Sequence, residues 1–455
     1  MADVDRTKLA ERLAAERAAF AGARPRSREL AAAAAEHLVG GVPMTWMNKW
    51  VGGFPIYLAT ARGSRVTDAD GHTYVDFALG DTGAMAGHSP APTIAAIRRQ
   101  VEDVGGITAM LPTEDAAWVA GELSRRFGMA SWSFALSATD ANRWALRLAR
   151  LITGRPLVAS FAYGYHGTVD ETFVVRAADG STVARHGNVA PSVPPSQTTR
   201  ALEWNDLDSV EAALAPGDVA VLLTEPALTN IGIVLPEPGF LDGLREICDR
   251  TGTLLLIDET HTLSAGPGGC TMAWGLRPDI VTVGKSFAGG IPIGAYGLSA
   301  DVATRLAAAV DSTDADLIDV GGVGGTLAGN ALSLAAARAT LGEVLTDDAF
   351  VGMIDLATRF TAGVQATLDR HDLDWSIVQL GARAEYRFAR PAPRTGTESA
   401  GAEDDDLDQY LHLAMANRGI LITPFHNMAL MAPSTVEADV DQHTQTFAEV
   451  VAAIC

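Results

Sequence analysis

Two short apolar runs near the middle of the chain end in charged side chains, and they constrain the fold more than any other feature. Leu254–Ile257 is followed by Asp258 and Glu259, and Ile280–Val283 is followed, after one glycine, by Lys285. Bounded runs of this length are typical of strands buried on both faces. In an open α/β sheet, ligands bind outside the carboxyl ends of the strands. The pattern therefore predicts a carboxylate and an amine in one crevice.

Further apolar runs alternate with helical segments along the central part of the chain. Strands that alternate with helices favour a mostly parallel sheet covered by helices on both faces. The expected fold class is therefore α/β. The other predicted strands of this sheet are Phe134–Leu136, Leu157–Phe161, Val219–Thr224 and Ala295–Ser299, and two of the predicted helices are Asp206–Leu214 and Gly239–Thr251.

Changes in composition predict three segments. Residues 1–80 combine an alanine-rich helical stretch with short strands, residues 81–330 carry the large sheet, and residues 331–455 mix helices with short strands. The first and third segments are expected to form a smaller α+β domain together. Residues 392–405 have loop composition and are expected to be mobile.

Composition also argues against several classes of function. The 455 residues are 48% hydrophobic and 20% charged, which is typical of a globular protein with a large core. The net charge of −21 argues against nucleic acids and anionic membranes as partners. The three cysteines are too scattered for a disulfide framework or a zinc site, so no metal is expected. Without a signal peptide or a membrane-spanning stretch, the expected location is the cytoplasm.

The amine and the carboxylate at neighbouring strand ends suit one cofactor well. Pyridoxal phosphate needs a lysine for its Schiff base and a carboxylate that keeps its pyridine nitrogen protonated. The glycine-rich run from Gly289 to Gly294 would let the backbone approach a bound group closely. The alternative is a surface salt bridge, or two unrelated strand-end charges, and composition alone favours that alternative.

Three stretches together resemble a known family. Asp258-Glu259, Val283-Gly284-Lys285 and the sequence GGIPIGAYG are similar to the class III pyridoxal-phosphate aminotransferases of fold type I. The similar branch contains glutamate-1-semialdehyde aminomutase and the amine and β-amino-acid transaminases. The resemblance extends from about residue 40 to near the C-terminus. It implies a fold-type-I transferase that works as a homodimer with shared active sites.

The resemblance assigns roles to the residues at the two strand ends. Lys285 is expected to carry the cofactor as a Schiff base and then to move a proton as general base and acid. Asp258 is expected to pair with the pyridine nitrogen, and Thr260 to lie against one face of the ring. His261 has no clear role in the family pattern, so a packed, hydrogen-bonded histidine is the favoured interpretation.

The phosphate of the cofactor is expected at the start of a helix. Ser137, Ala138 and Thr139 open the helix that ends near Arg150, and a helix N-terminus offers free N–H groups and a positive dipole end. The hydroxyl groups of the first and third residues would add donors. An ordinary N-cap would use the same residue types, and relatives usually carry glycine at the position of Ala138.

Three further segments receive their roles from the resemblance alone. In the segment Tyr165-His166-Gly167, an aromatic ring is expected to stack on the cofactor. Glu225 is expected near the 3-hydroxyl side of the ring. Thr326 resembles a threonine that reaches the phosphate bound by the partner subunit, so neither subunit would have a complete site alone.

The substrate pocket is the least constrained part of the sequence. The stretch PMTWM, which includes Trp46 and Met47, and nearby Trp50 stand where the aminomutase pattern carries a polar stretch with an arginine. An apolar pocket is therefore expected. Arg383 and Arg387 are candidates for binding a carboxylate, with a structural salt bridge as the equal alternative.

The expected activity follows from this pocket. It is transfer of an amino group from a hydrophobic amine or β-amino acid to a keto acid such as pyruvate, by a ping-pong mechanism through the cofactor. The alternative within the family is an aminomutase of the glutamate-1-semialdehyde type, which would need no external carbonyl acceptor.

Two interpretations come from other classes of protein. Gly284-Lys285-Ser286 after a strand could belong to a nucleotide-binding loop, but the P-loop needs glycine five residues before Gly284, where the chain has Asp279. The residues that follow are rich in glycine and proline rather than helix-forming. A cofactor-binding regulator without catalysis would need a DNA-binding segment, and neither an added segment nor the net charge supports one.

Overall fold

The computed structural model describes residues 4–455, and the chain divides into two compact units. The first unit is built from the chain up to Pro90 together with Val351–Pro393 and Ala402–Cys455. The second comprises Ala91–Phe350 and Arg394–Gly401. The divisions therefore lie at residues 90 and 350, whereas the sequence predicted boundaries at 80 and 330.

Strands and helices are numbered in chain order across both units. The strands are β1 (Leu58–Arg62), β2 (Arg65–Asp68), β3 (Thr73–Asp76), β4 (Ser131–Ala135), β5 (Leu157–Phe161), β6 (Val174–Arg176), β7 (Thr182–Ala184), β8 (Thr199–Leu202), β9 (Val219–Thr224), β10 (Leu254–Asp258), β11 (Ile280–Gly284), β12 (Gly294–Leu298), β13 (Ser376–Leu380), β14 (Arg383–Arg387), β15 (Ile420–Leu421) and β16 (Met428–Leu430).

The helices include long amphipathic ones and short connecting ones. They are α1 (Arg6–Ala23), α2 (Pro25–Ala34), α3 (Ala91–Arg99), α4 (Glu114–Phe127), α5 (Ala138–Thr153), α6 (Leu207–Leu214), α7 (Phe240–Thr251), α8 (Gly269–Ala273), α9 (Ala300–Asp311), α10 (Ala331–Ala339), α11 (Asp347–Arg370), α12 (Gly396–Ala400), α13 (Asp405–Asn417) and α14 (Glu437–Ala452). Within residues 4–455, none of them is both long enough and apolar enough to span a bilayer.

A seven-stranded mixed sheet forms the centre of the second unit. Its strand order is β4-β12-β11-β10-β9-β5-β8. Strand β12 runs antiparallel to both of its neighbours, and the other neighbouring pairs are parallel. Every residue of β9, β10 and β11 is buried, which explains their continuous apolar sequences. The predicted mostly parallel mixed sheet is confirmed.

The edge strand β8 was missed in the sequence. It pairs in parallel with β5, and its residues are Thr, Arg, Ala and Leu. Four residues are too few to establish an alternating pattern. A charged side chain such as that of Arg200 is also common on an edge strand, where it discourages pairing with another chain.

Helix α5 lies on the sheet and brings its first turn to the carboxyl ends of the strands. Ala145 and Leu148 on its buried face pack with Val221 and Leu256 of the sheet in one apolar cluster. Burial of a side chain of this size stabilises the fold by about 1.5–3 kcal/mol. Replacement of Leu148 with alanine should therefore cost about 2–5 kcal/mol, the additional term being the cavity left behind.

The segment that begins with α10 belongs to the second unit, which moves the boundary to residue 350. Helix α10 packs against α3 and α4. The hydroxyl groups of Thr340 and Thr93 are 2.8 Å apart, and the buried guanidinium of Arg126 donates to the carbonyls of Leu341 and Leu345, both at 2.9 Å. These bonds connect residues that are distant in sequence, so composition alone did not indicate them.

The first unit is an α+β structure assembled from both ends of the chain. Its sheets have the orders β1-β2-β3-β15 and β13-β14-β16, and α1 packs along α13. The buried Arg24 joins these parts, because its Nε donates to the hydroxyl of Tyr74 (3.0 Å) and its Nη2 donates to the carbonyl of Ala416 (3.1 Å).

Residues 394–401 are not the loop that their composition predicted. They contain α12, and the backbone carbonyl of Arg394 accepts a hydrogen bond from Asn205 (2.7 Å). The hydroxyl of Thr397 donates to Glu203, and the fully buried hydroxyl of Ser399 donates to the carbonyl of Ile231. The polar composition that suggested a loop is instead satisfied by hydrogen bonds to the rest of the second unit.

Candidate active site

Two buried carboxylates lie side by side at the carboxyl ends of β9 and β10. Thr224 pairs with Ile257, so Glu225 and Asp258, the residues that follow, lie at the same level of the sheet. They are 2% and 3% exposed. Two carboxylates thus lie at the edge of the sheet where the sequence predicted Asp258, at a depth where unpaired charges would be very costly.

Asp258 is fully bonded within what we call the strand-end cluster, formed by Asp258, His166, Asn142 and Thr282. Its carboxylate contacts Nδ1 of His166 (3.1 Å) and accepts hydrogen bonds from Asn142 Nδ2 (2.8 Å) and the backbone N–H of Thr260 (3.0 Å). The hydroxyl of Thr282 in turn donates to Oδ1 of Asn142 (2.7 Å). This second bond fixes the orientation of the amide that faces the carboxylate.

The partners of Asp258 decide its charge. Burial by itself would raise its pKa, but the hydrogen bond and positive charge of His166, with bonds from Thr260 and Asn142, outweigh burial and leave the pKa below its usual value. The carboxylate is therefore ionised at neutral pH. An ionised carboxylate in a dry site can hold a protonated ring nitrogen against it.

Lys285 follows the last residue of β11 and has an unusual backbone conformation. Its φ is +60°, in the left-handed region that residues with a side chain seldom adopt. Such conformations cost about 1–3 kcal/mol and are concentrated at functional sites. The turn Lys285–Ala288 is 3-10 and ends at Gly289, so it lacks the helix that a P-loop requires.

Lysine is scarce in this chain, and this narrows the choice of an imine-forming amine. The sequence contains lysine only at positions 8, 49 and 285. Lys8 lies in α1 with half of its side chain exposed, and Lys49 is exposed beside the ring of Phe425. Only Lys285 lies at the carboxyl edge of the large sheet.

The amine of Lys285 contacts a buried chain of polar groups. Its Nζ lies within hydrogen-bonding distance of Nε2 of His261. Nδ1 of the same ring is 2.7 Å from the hydroxyl of Thr229, which also contacts Oε2 of Glu225. The other carboxylate oxygen accepts the backbone N–H of Tyr165 at 3.2 Å. His261 is thus packed and hydrogen-bonded, as predicted, but one of its partners is the candidate catalytic amine.

The first turn of α5 meets the ends of β11 and β12 at close range. A Cβ added at Gly284 would lie 3.0 Å from the backbone nitrogen of Ala138, and one added at Gly294 would lie 2.2 Å from the carbonyl oxygen of Ser137. The hydroxyl of Ser137 caps the helix by accepting the N–H of Asp140 (3.2 Å). The ordinary N-cap that the sequence allowed is therefore present.

The second hydroxyl of this turn also has a structural contact. The hydroxyl of Thr139 accepts the N–H of Thr168 (3.1 Å), and a Cβ at Gly167 would lie 2.0 Å from it. The helix start remains available for an anion, because the first turn of any helix leaves backbone N–H groups without intrahelical partners.

The residues at these strand ends fit pyridoxal phosphate. The hydroxyl of Thr260 is buried and has no hydrogen-bond partner within residues 4–455, as expected of a group that faces a bound ring. An ionised Asp258, a strand-end Lys285 and a helix N-terminus supply the carboxylate, the amine and the anion site that this cofactor requires.

Other predicted residues have less direct positions. The half-buried ring of Tyr165 lies edge-on to Phe173, with centroids 6.4 Å apart. His166 contacts Asp258, so it would act on a cofactor through that carboxylate. Thr326 is exposed in a turn of the second unit.

The predicted substrate residues all lie in the first unit. Trp46 is half-buried, with its ring 5.8 Å from that of Phe425, and Met47 is 40% exposed. Trp50 packs against an apolar cluster that includes Tyr74 and Leu421, so packing accounts for it.

The two predicted arginines belong to the same unit. Arg383 and Arg387 lie on β14 and are 1% and 6% exposed. Such depth is unusual for a charged side chain and requires compensation by neighbouring polar groups.

Sequence reasoning missed Asn142 and Thr229. Asn142 is fully buried on α5 between Ala141 and Trp144, and an amide on the apolar face of an amphipathic helix was a detectable signal. Thr229 gave no comparable signal. It follows Leu228, which forms an isolated bridge with Val234, and only this fold of the loop brings its hydroxyl between two titratable groups.

Comparison with curated proteins identifies the family. The family described as Aminotransferase class-III matches residues 46–451. A glutamate-1-semialdehyde 2,1-aminomutase of Chloroflexus aggregans is 34% identical over 407 residues, which cover 86% of this chain and 89% of that protein. A match of this extent shows that the chain belongs to this family.

Comparison with solved structures gives the same family. A glutamate-1-semialdehyde-aminomutase from Pseudomonas aeruginosa PAO1, also solved as a lysine-to-alanine variant in complex with PMP, has a TM-score of 0.96 and 46% identity, covering 99% of this chain and 100% of that one. An omega-transaminase from Sphaerobacter thermophilus has a TM-score of 0.84 and 27% identity, covering 94% and 98%. The chain is therefore an enzyme of the class III aminotransferase family with the type I fold, and its cofactor is pyridoxal phosphate.

Proposed function

We propose that the protein is an aminomutase that moves an amino group between neighbouring carbons of one small substrate of the glutamate-1-semialdehyde type. The proposal rests on the higher sequence identity with aminomutases than with transaminases of the family. Identity is 46% with the structure named as an aminomutase and 27% with the omega-transaminase, at nearly complete coverage in both. Curated relatives at 31% to 34% identity have the same aminomutase name. This reverses the order of preference drawn from the sequence.

Lys285 is proposed as the catalytic residue. When bound, pyridoxal phosphate supplies an aldehyde for a lysine amine and a ring that withdraws electrons from the substrate carbon. Lys285 would hold the cofactor through its amine, and its free amine would take a proton from one atom of the bound substrate and return it to another. Its strained backbone and its position at the end of β11 support this role.

Asp258 is proposed to hold the pyridine nitrogen in its protonated form. The bonds from His166, Asn142 and Thr260 keep its carboxylate ionised and restrict its rotation. A fixed charge that needs no rearrangement during reaction stabilises a developing charge better than water does. Thr260 is proposed to lie against one ring face, and Tyr165 to stack near the other.

The first turn of α5 is proposed as the phosphate site. Ala138 and Thr139 would donate through their backbone N–H groups, since the hydroxyl of Ser137 is engaged in the N-cap. The close approach of Gly284 to this turn leaves space for the backbone but for no side chain. Asp140, also in this turn, adds a negative charge that the phosphate must tolerate.

A homodimer with shared sites is proposed from an exposed apolar segment. Ile318, Val320 and Leu327 are 98%, 79% and 49% exposed, and they lie close in sequence to Thr326. Apolar side chains exposed together mark contact surfaces. Covered by a second copy of the chain, this segment would bring Thr326 to the phosphate bound by the partner subunit. Light scattering after size exclusion should then give twice the mass of one chain.

Arg383 and Arg387 are the proposed binders of a substrate carboxylate. Arg383, Glu385 and Arg387 are two residues apart along β14, so their side chains point to the same face of that strand. Glu385 contacts Nδ1 of His426 at 3.1 Å. This contact compensates part of the charge of Glu385 without involving either arginine. A bidentate arginine is well suited to a carboxylate of the substrate.

A second candidate function is transamination of hydrophobic amines or β-amino acids, with a keto acid as acceptor. It is favoured by the apolar surface around Trp46, where Met44 and Met47 are 45% and 40% exposed and Phe425 packs against the indole. Both activities use the same roles of Lys285 and Asp258. They differ in whether the carbonyl product leaves before the amino group is returned.

The decisive experiment separates transfer within one molecule from transfer between two. The purified enzyme is given glutamate 1-semialdehyde without any external carbonyl compound, and the product is separated from the substrate by chromatography before mass spectrometry. An aminomutase should turn over repeatedly and yield an isomer of unchanged mass. The Lys285→Ala variant is the matched control for uncatalysed rearrangement.

A panel of hydrophobic amines, with and without pyruvate, tests the second candidate. If only these amines convert the cofactor to its aminated form, and turnover stops when pyruvate is omitted, the aminomutase proposal is wrong and transamination replaces it. If neither panel gives turnover but borohydride still attaches the cofactor to Lys285, the family chemistry stands and the proposed substrate class fails.

A further inference from the structure

We infer that Glu225, Thr229 and His261 form a proton relay that keeps the amine of Lys285 neutral when it is not bonded to the cofactor. The inference deepens the proposed function, because it rests on Lys285 as the amine that bonds the cofactor. It makes His261 and Thr229 positioning residues, since they act on the reaction through Lys285.

The contacts of the relay are continuous and buried. Nζ of Lys285 contacts Nε2 of His261, the opposite ring nitrogen lies 2.7 Å from the hydroxyl of Thr229, and that hydroxyl contacts Oε2 of Glu225. Thr229 and Glu225 are each 2% exposed and His261 is 6% exposed. Water therefore has little access to the intervening bonds, and a proton can pass along them.

The loops that carry the relay are held in place from outside it. The bridge between Leu228 and Val234, with hydrogen bonds of 3.1 and 3.0 Å in the two directions, closes the loop of Thr229. The turn of His261 is anchored by Glu259, whose carboxylate accepts the backbone N–H groups of Cys270 (3.1 Å) and Thr271 (2.5 Å). Both ends are fixed, so the relay needs no rearrangement to conduct a proton.

Reversal of the hydrogen bonds moves one proton from the amine to the carboxylate. The ammonium of Lys285 gives a proton to Nε2 of His261, and the proton on Nδ1 passes to the oxygen of Thr229. The hydroxyl proton of Thr229 then passes to Oε2 of Glu225. The balance is one neutral amine and one neutral carboxylic acid in place of an ion pair, and no bond other than those to hydrogen changes. The reverse sequence restores the ammonium.

The surroundings of Glu225 favour the neutral acid. Burial raises the pKa of Glu225 above its usual value, although the charge of His166, the hydroxyl of Thr229 and the N–H of Tyr165 oppose the rise. The ionised Asp258 beside it raises the pKa further. The buried Glu259 faces α8 and is bonded there, so it does not compete for the proton.

The test measures the titration of Lys285 in the holoenzyme loaded with pyridoxamine phosphate, in which no lysine is bonded to the cofactor. Trace acetylation with acetic anhydride between about pH 6 and pH 10, followed by peptide mapping, reports the neutral fraction of each amine. Lys8 and Lys49 are internal references in the same digest. Thr229→Val removes the hydroxyl and keeps the shape. Thr253→Val is the matched control, because Thr253 is also 2% exposed and its hydroxyl donates to the carbonyl of Val219.

In the Thr229→Val variant, we expect the midpoint of Lys285 acetylation to rise by about one pH unit, which is about a tenfold lower rate at neutral pH. Lys8, Lys49 and the Thr253→Val protein should be unchanged. The relay is overturned if the Lys285 curve of Thr229→Val coincides with that of the wild type.

Glu225→Gln keeps the test decisive if Thr229→Val does not fold by circular dichroism. Glutamine keeps the size of Glu225 and can still accept the N–H of Tyr165, but its amide nitrogen can neither accept the hydroxyl of Thr229 nor take up a proton. The same upward shift is therefore expected, and an unchanged curve overturns the relay. No substrate enters this experiment. A failed substrate panel with an intact shift would reject the proposed function alone, and an absent shift with active enzyme would reject the relay alone.

Discussion

The two units each contain a buried polar cluster, and the clusters follow different rules. In the strand-end cluster of the second unit, Asp258 lies at the end of β10 and its partners come from neighbouring helices and loops. The β14 cluster of the first unit, formed by Arg383, Glu385, Arg387 and His426, has its charges within a strand whose residues are all buried.

The two clusters differ in whether a bound molecule can replace a side chain as a hydrogen-bond partner. Beyond the end of a strand, there are no further backbone hydrogen bonds to the neighbouring strands. A small molecule can therefore take the place of side chains there without breaking any of these bonds. Within β14, the flanking strands occupy both edges, and compensation must come from side chains such as that of His426. Burial would lower the pKa of His426, but the charge and hydrogen bond of Glu385 raise it above its usual value. Chemistry is thus expected at the strand ends, whereas the buried Glu385 of β14 forms a structural ion pair with His426.

The largest effect should come from the amine of the strand-end site. Lys285→Arg keeps the charge but removes the imine-forming amine, so we expect kcat to fall by about 10³-fold or more. Steady-state kinetics with the preferred substrate measure this. Lys49→Ala is the control and should change kcat little. If Lys285→Arg keeps its activity within tenfold of the wild type, Lys285 is not the residue that carries out the chemistry.

Removal of the strand-end charge should have the next largest effect. Asp258→Asn keeps the size and two acceptor contacts but cannot hold a protonated ring nitrogen, so kcat should fall by about 10²-fold. Asp279→Asn is the matched control at the opposite end of β11, where Asp279 accepts the N–H of Leu255 (2.7 Å) and pairs with Arg245. Stopped-flow rates of cofactor conversion measure both variants. If both variants lose the same factor in rate, the carboxylate at the end of β10 has no greater role in catalysis than the carboxylate before β11.

The tight backbone approach at the proposed phosphate site predicts a smaller loss. Gly284→Ala adds a methyl group 2.9 Å from the Cβ of Ala138, which must displace the first turn of α5. We expect about tenfold weaker binding of pyridoxal phosphate, measured by fluorescence titration. Gly121→Ala, in α4, has nothing within 4 Å of the added carbon. It should leave cofactor affinity unchanged and gain up to about 1 kcal/mol of helix stability.

The smallest expected effect is a pH dependence of stability caused by Asp408, a neighbour of the β14 cluster. Burial raises the pKa of Asp408 to about 6, although a hydrogen bond from Asn427 (2.6 Å) and the charge of Arg387 lower it. A carboxyl group whose pKa is higher in the folded state than in the unfolded state stabilises the fold below its unfolded pKa, and this contribution is lost as the pH rises through about 6.

Asp408→Asn tests this sign. In the wild type, the contribution of Asp408 should make the free energy of unfolding about 1 kcal/mol smaller at about pH 7.5 than at about pH 5. The asparagine still accepts a bond from Asn427 but does not titrate, so this difference should disappear from urea unfolding curves. A difference of opposite sign would mean that the carboxylate is stabilised in its ionised form, and the β14 cluster would then resemble the strand-end cluster.

Much of the candidate site could be predicted because strand ends are visible in a sequence. The fully buried strands β10 and β11 are continuous apolar runs, and the first polar residue after such a run marks the edge of the sheet. The start of α5 at Ser137 was visible for a similar reason, since caps need particular residue types. These signals are local, and each is contained in fewer than about ten residues.

The missed features depend on contacts between distant residues. Asn142 and Asp258 are 116 positions apart, and Thr229 and His261 are 32 apart. The proposal of an aminomutase rests on similarity over the whole chain, which the apolar composition around Trp46 does not reveal. The composition of residues 394–401 is typical of a loop, whereas their structure depends on hydrogen bonds to distant partners such as Glu203.

The amino-acid sequence by itself determined the buried strands β9, β10 and β11, the cap of α5, and the carboxylate at the end of β10 and the amine that follows β11, because hydrophobic runs and capping act over a few residues. The tertiary structure alone decided that His261 faces Lys285, that Asn142 orients Asp258 and that α10 belongs to the second unit. Hydrogen bonds and burial between distant segments depend on how the chain returns on itself, and no local pattern contains that information.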